Sequence, residues 1–158
     1  MSFLYLVPVI SSTSALYFAW DQYLFLSIFL KKDIQAPSNR LQSSYWQTFF
    51  PRGSAAVLGL ISITSGASFA LLRTQAAILQ EKNSYNWYLA GGILALCHLL
   101  WAPSIMPVVD TLQDSKKDVN EGTITLRRWI NIHLTRALTV DLACFVSCVV
   151  AAAKTISS

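Results

Sequence analysis

The chain has 158 residues, of which 54% are hydrophobic and only 13% charged, and its formal net charge is +4. Soluble domains carry about a quarter charged residues, so this composition excludes a water-facing globular surface and points to one integral membrane domain over residues 1–158. The cations lie in the connections between apolar segments and form no stripe, which marks them as topology signals and argues against nucleic-acid binding.

A helix that crosses a membrane needs about 20 mostly apolar residues. Four segments qualify, at residues 3–30, 54–72, 87–109 and 129–153, so the expected fold is all-α, a four-helix transmembrane bundle. The first segment is long for one span and is interrupted by Asp21-Gln22. It has no basic stretch ahead of its apolar run and continues for a full membrane width, so it reads as a retained anchor. Ser14, Tyr17 and Asp21 line one stripe of it. The connection that follows carries Lys31, Lys32, Asp33, Arg40 and Arg52, with Pro37 and Asn39 as helix breakers.

The second segment places Gly59, Ser62 and Gly66 at helical spacing, a signal for close helix packing. A short connection with Arg73, Glu81 and Lys82 leads to the third segment, where His98 and Trp101 share a face. The third connection, residues 110–128, is the most charged. In the fourth segment Trp129, His133, Arg136 and Val140 share a face, and Asp141 is expected about 80° away from His133. Trp46, Trp87 and Trp129 fit an aromatic belt at the membrane surfaces.

The first and third connections hold eight Lys and Arg residues, against three (Arg73, Lys82 and Lys154) on the other side. Positive charge marks the cytosolic side. The expectation is a multi-pass protein of the endoplasmic reticulum with both termini lumenal. Cys97, Cys144 and Cys148 all fall in apolar segments without a C-x-x-C motif, and they read as small core residues.

Ionisable side chains within a bilayer are costly and mark either a structural pair or a functional site. Arg136 lies about 10 Å inside the fourth segment and Asp21 about 13 Å from the end of the first, at the helical rise per residue. An Asp21–Arg136 pair is therefore expected to be within reach, with His133 bonded to a backbone carbonyl in the structural reading. His98 reads as an interhelical hydrogen bond, and Asp141 as an ion-pair partner or a second acid. There is no Glu-x-x-His pair of the di-iron type, no phosphate-binding glycine loop and no G-x-S-x-G, so no metal or organic cofactor is expected.

Three local patterns carry a resemblance: Trp46-Gln47-Thr48-Phe49-Phe50-Pro51-Arg52-Gly53, Ala102-Pro103-Ser104-Ile105-Met106-Pro107, and Trp129 with His133 and Arg136 as W-x-x-x-H-x-x-R. With them the chain resembles, over nearly its whole length, the fungal anthrone oxygenases and the small membrane proteins around them. The resemblance implies oxidation of an anthrone-type aromatic polyketide to a quinone, with dioxygen as co-substrate and no cofactor. His133 would be the base and Arg136 the holder of the developing oxyanion, with Asp21 orienting them. Trp101 and Trp129 would stack on the rings, and His98, Asp141 and Tyr17 would complete the substrate site. The partners implied are the lipid bilayer and a planar aromatic small molecule, and a homo-oligomer is compatible with the sequence. Two other readings stay open: a membrane cyclase or isomerase using acid–base chemistry on a polyketide or terpenoid, and a non-catalytic membrane subunit or small transporter.

Overall fold

The computed structural model describes residues 3–116 and 119–157, the side chains of 35–40, 119 and 120 excepted. Lys117 and the side chain of Arg40, both counted in the charge asymmetry, lie outside the described residues. After a 3-10 turn at Phe3–Leu6 the described chain is helical apart from short turns: α1 Val7–Ile28, α2 Lys32–Thr74, α3 Ala76–Glu81, α4 Tyr85–Cys97, α5 Ala102–Gln113, α6 Val119–Arg136 and α7 Leu142–Ile156. A 3-10 turn, His98–Trp101, joins α4 to α5, and a π-helical turn, Ala137–Asp141, joins α6 to α7. There is no strand among the described residues.

Four stretches are long and apolar enough to cross a membrane: Phe3–Ile28, Leu41–Thr74, Tyr85–Gln113 and Glu121–Ile156. They pack in a ring, α1 on α2, α2 on α4 and α5, those on α7 and α6, and these back on α1. Many large apolar side chains remain outward, among them Ile10, Phe25, Leu100 and Leu138. A water-soluble domain would leave few such patches, whereas lipid tails cover them.

The helices run further than their apolar cores. The second segment was expected over residues 54–72 behind breakers at Pro37 and Asn39, yet α2 begins at Lys32. Its buried face continues upstream through Gly53, Trp46 and Gln42 at helical spacing. That packing outweighs the hydrogen bond lost at the exposed Pro51. The third connection shrinks for the same reason, with Leu126, Trp129 and Ile130 buried on α6.

Trp46 and Trp129 are core residues and not belt residues, at 0% and 4% exposure. Their rings meet edge to face at 5.1 Å, within a cluster that includes Leu26, Ile105, Leu112 and Leu126. Trp87 is outward, as a belt residue would be. The glycine stripe also differs from expectation. A Cβ at Gly59 or Gly66 would meet nothing within 4 Å, so these glycines face outward. The close approach is made at Gly91, where a Cβ would stand 2.8 Å from Cys148 Sγ. Cys144 (5% exposed) and Cys148 (0%) are core residues, as expected. A turn at Asn83, in the left-handed conformation that asparagine tolerates, reverses the chain into α4.

Candidate active site

Two irregular turns put polar groups into the bundle interior. Pro103 is near the start of α5, and its ring nitrogen cannot donate to Leu99 as a continuous helix would require. The chain tightens into the 3-10 turn, with the Ala102 N–H donating to Leu99 O instead. Residues three apart eclipse one another in such a turn, and His98 and Trp101 both face one cavity.

The π-helical turn does the same for Asp141. In an unbroken α-helix a residue five positions after Arg136 would stand about 140° around the axis. The π turn stacks residues five apart, and Arg136 Nε–H donates to Asp141 Oδ2 at 3.4 Å. With one residue absorbed by the turn, Asp141 comes to within about 20° of His133, in place of the 80° expected from regular spacing.

The resulting network is continuous. Asp141 Oδ1 accepts from His98 Nδ1–H at 2.9 Å. Arg136 Nη2–H donates to His133 Nδ1 at 3.0 Å, since arginine has no acceptor. That leaves the proton of His133 on Nε2, which donates to Ala19 O at 2.8 Å. Trp129, one turn earlier, stacks on the His133 ring at 4.5 Å and 12°. His133 is 0% exposed and Arg136 8%.

These bonds sort the sequence candidates. Arg136, His133, His98 and Asp141 come together, whereas Asp21 does not join them. The partner of Arg136 is Asp141, because the buried face of α1 carries Ser12, Ala19 and Gln22 while Asp21 sits on the far side. Asp21 and Tyr17 line an outer groove together with Ser14. His133, expected as the base, has both ring nitrogens committed and lines none of the cavities described below, so it holds Arg136 and α1 in place. The backbone-carbonyl bond expected for it in the structural reading is present.

A cavity of ≈ 310 Å³ lies between α2, α5 and the polar network. Phe49, Phe50, Trp101, Ile105, Met106 and Trp129 make its apolar walls, and Gln22, His98 and Arg136 its polar end. Such a volume with a few converging polar groups is typical of small-molecule sites. Leu58, Leu99 and Met106, all more than two-fifths exposed, sit on its lipid-facing rim. Sequence reasoning missed Gln22, Phe49 and Phe50 as lining residues. The signal for Gln22 was the small-residue face Ala15–Ala19 that precedes it by one and two turns. A second cavity of ≈ 30 Å³ meets the first at Gln22, Val57, His98 and Arg136. Among the described residues no three His, Cys, Asp or Glu side chains cluster as a metal site would.

No family model matches the chain, and no solved structure does. Similar proteins are known from fungi. Probable epoxidase scpX of Mollisia scopiformis is 24% identical over 153 residues, 94% of this chain and 93% of that protein. Epoxidase pydX of an Acremonium species is 24% identical over 151 residues, covering 94% and 91%. Epoxidase gkaX of Penicillium citrinum is 25% identical over 149 residues, covering 93% and 91%. Over more than nine-tenths of its length, then, this four-helix chain is similar to small fungal proteins that carry the name epoxidase.

Proposed function

We propose that the chain is a membrane-embedded oxidative tailoring enzyme of fungal secondary metabolism that oxygenates a flat, apolar substrate with dioxygen. The observation that carries this is the His98–Asp141–Arg136 network at the polar end of an aromatic-walled cavity. With Nδ1–H given to Asp141, a neutral His98 keeps its lone pair on Nε2, the arrangement of a general base oriented by a carboxylate. Arg136 makes two of its five donor contacts within the network and has others for an oxyanion. Trp101 and Phe49 supply ring faces for a planar substrate.

Two oxidations fit this equipment. For a substrate with an acidic benzylic CH₂ opposite a carbonyl, His98 takes a proton and the carbanion passes its electrons to dioxygen. One oxygen atom becomes the new carbonyl and the other leaves as water, so anthrone plus dioxygen gives quinone plus water. The likeness to proteins named epoxidases favours an alkene as substrate. One oxygen atom then closes the epoxide and the other leaves as water, with two electrons and two protons supplied by an organic reductant of the nicotinamide or quinol class. The same dyad also supports proton shuffling without dioxygen, as in a cyclase or isomerase.

Membranes from yeast expressing the full chain separate these readings. They would be given ¹⁸O₂ with a hydroxylated anthrone, or with a planar diaryl alkene plus reduced nicotinamide. Incorporation of one ¹⁸O atom into either product, lost in His98→Gln, is the expected result. Rearrangement of a probe without oxygen uptake would move the assignment to an isomerase. No change in either probe, with the bundle intact, would leave a non-catalytic membrane protein.

A further inference from the structure

The two cavities that meet at His98 and Arg136 differ widely in size, ≈ 30 Å³ against ≈ 310 Å³. Gln22, Val57, His98 and Arg136 line both and so form the partition between them. The smaller compartment cannot take an organic ring. It is large enough for one small molecule, since a water needs roughly 10–15 Å³ of such space.

The walls decide what kind of molecule. Away from the partition they are largely apolar, with Ala15, Phe18, Ile61 and Ala95. The hydroxyls that reach it have already spent their protons. Ser12 donates to Val9 O at 3.1 Å, and Thr64 donates to Leu60 O at 2.9 Å while sharing a 2.7 Å bond with Ser11. Cys144 donates to Gly91 O, and the two carboxylate oxygens of Asp141 each accept one bond, from His98 and from Arg136. Water would find donors only at the partition, and acceptors in the oxygens of Asp141, Ser12 and Thr64. Apolar surfaces stay dry and take up apolar gases, so a gas molecule would sit against the Ala15, Phe18, Ile61 and Ala95 side of this space.

We propose that the small compartment seats dioxygen, across the partition from the organic substrate; this rests on the oxidative function proposed above. The division explains why the polar groups sit at the junction. Negative charge grows on the oxygen as it accepts electrons, and Arg136 is the cationic donor that borders both spaces.

Xenon is the probe for the compartment, and dioxygen kinetics with the anthrone is the probe for its role. Crystals of the detergent-solubilised full chain under xenon pressure should show a xenon atom between Ala95 and Ile61. Ala95→Leu, or the smaller Ala95→Val, should remove it. In the same variants the KM for dioxygen should rise several-fold while the KM for the anthrone stays unchanged. Xenon found only in the larger cavity would overturn the proposal without any variant having to fold. So would an Ala95 variant that raises the anthrone KM and leaves the oxygen KM alone. A bound xenon in a protein that consumes no dioxygen with either probe would instead bring down the oxidative function, and the dioxygen assignment with it.

Discussion

His98 and His133 are linked through one carboxylate and one guanidinium, and their hydrogen bonds decide what each can do. His98 spends one ring nitrogen on Asp141 and faces the cavity with the rest of its ring. His133 spends both, on Arg136 and on Ala19 O. His98→Gln should therefore lower turnover by about 10²–10⁴-fold, the usual cost of a lost general base, with stability little changed. His133→Gln should lower the stability of the bundle by about 1–3 kcal/mol, the cost of a buried polar group left unsatisfied. Oxygen uptake beside unfolding in mixed detergent reads both, and full activity in His98→Gln would defeat the base assignment. The Arg136–Asp141 pair has a sharper signature. Arg136→Met leaves a buried carboxylate without its cation and should cost about 3–5 kcal/mol. The double change Arg136→Met/Asp141→Leu should recover only part of that stability, because His133 and His98 each lose a partner, and none of the activity. Recovery of turnover in the double variant would reduce the pair to a packing device. Much of this site was legible in the residues: the shared face of His133 and Arg136, the carbonyl bond of His133, and His98 and Asp141 as members. The pairing was not, because it depends on a turn that regular spacing does not describe.

At the level of the helices, irregular turns place the chemistry. The π turn at Ala137–Asp141 brings Asp141 onto the Arg136 face, and the proline-driven turn at His98–Trp101 brings a base and a ring into the same cavity. The second was half visible, because Pro103 and Pro107 stand in the sequence and prolines displace helical hydrogen bonds. The first left no mark, since Ala-Leu-Thr-Val-Asp reads as ordinary helix. Helix ends are hidden in the sequence for a different reason. Charge and proline mark stops in the sequence, while Gln42, Trp46 and Gly53 continue the buried face beneath them. The π turn makes a testable asymmetry. Deleting the lipid-facing Leu138, which is 62% exposed, leaves Arg136 and Asp141 four positions apart, and in an α-helix these share a face. The deletion variant should fold, and α7 should keep its buried Cys144–Cys148 face. Inserting one alanine after Leu138 should instead rotate α7 by about 100° and disrupt the bundle. Yield and monodispersity in detergent compare the two, and an insertion tolerated as well as the deletion would show that the turn does not set the register.

Across the whole molecule the four spans are unequal, and the excess length has a direction. Leu41–Thr74 covers 34 residues and Glu121–Ile156 covers 36. About 20 residues suffice to cross the hydrocarbon, so both helices either tilt or project. Both helices run past their apolar cores toward Arg127 and Arg128 on α6 and toward Lys31 and Lys32 at the start of α2. Lysine and arginine near span ends favour the cytosolic side, and a bundle of four antiparallel spans returns its C-terminus to the side of its N-terminus. Both termini should thus be lumenal if the membrane is that of the endoplasmic reticulum. The protein's own cysteines simplify the measurement, because Cys144 and Cys148 are buried and only Cys97 is partly exposed. In a Cys97→Ser background, Ser157→Cys should react with an impermeant maleimide only after the vesicle lumen is opened. Lys116→Cys, in the exposed turn between α5 and α6, should react from outside in sealed vesicles. The opposite pattern would invert the bundle. The polar network would then lie in the lumenal half of the membrane, and any reductant for an epoxidation would have to reach it from that side.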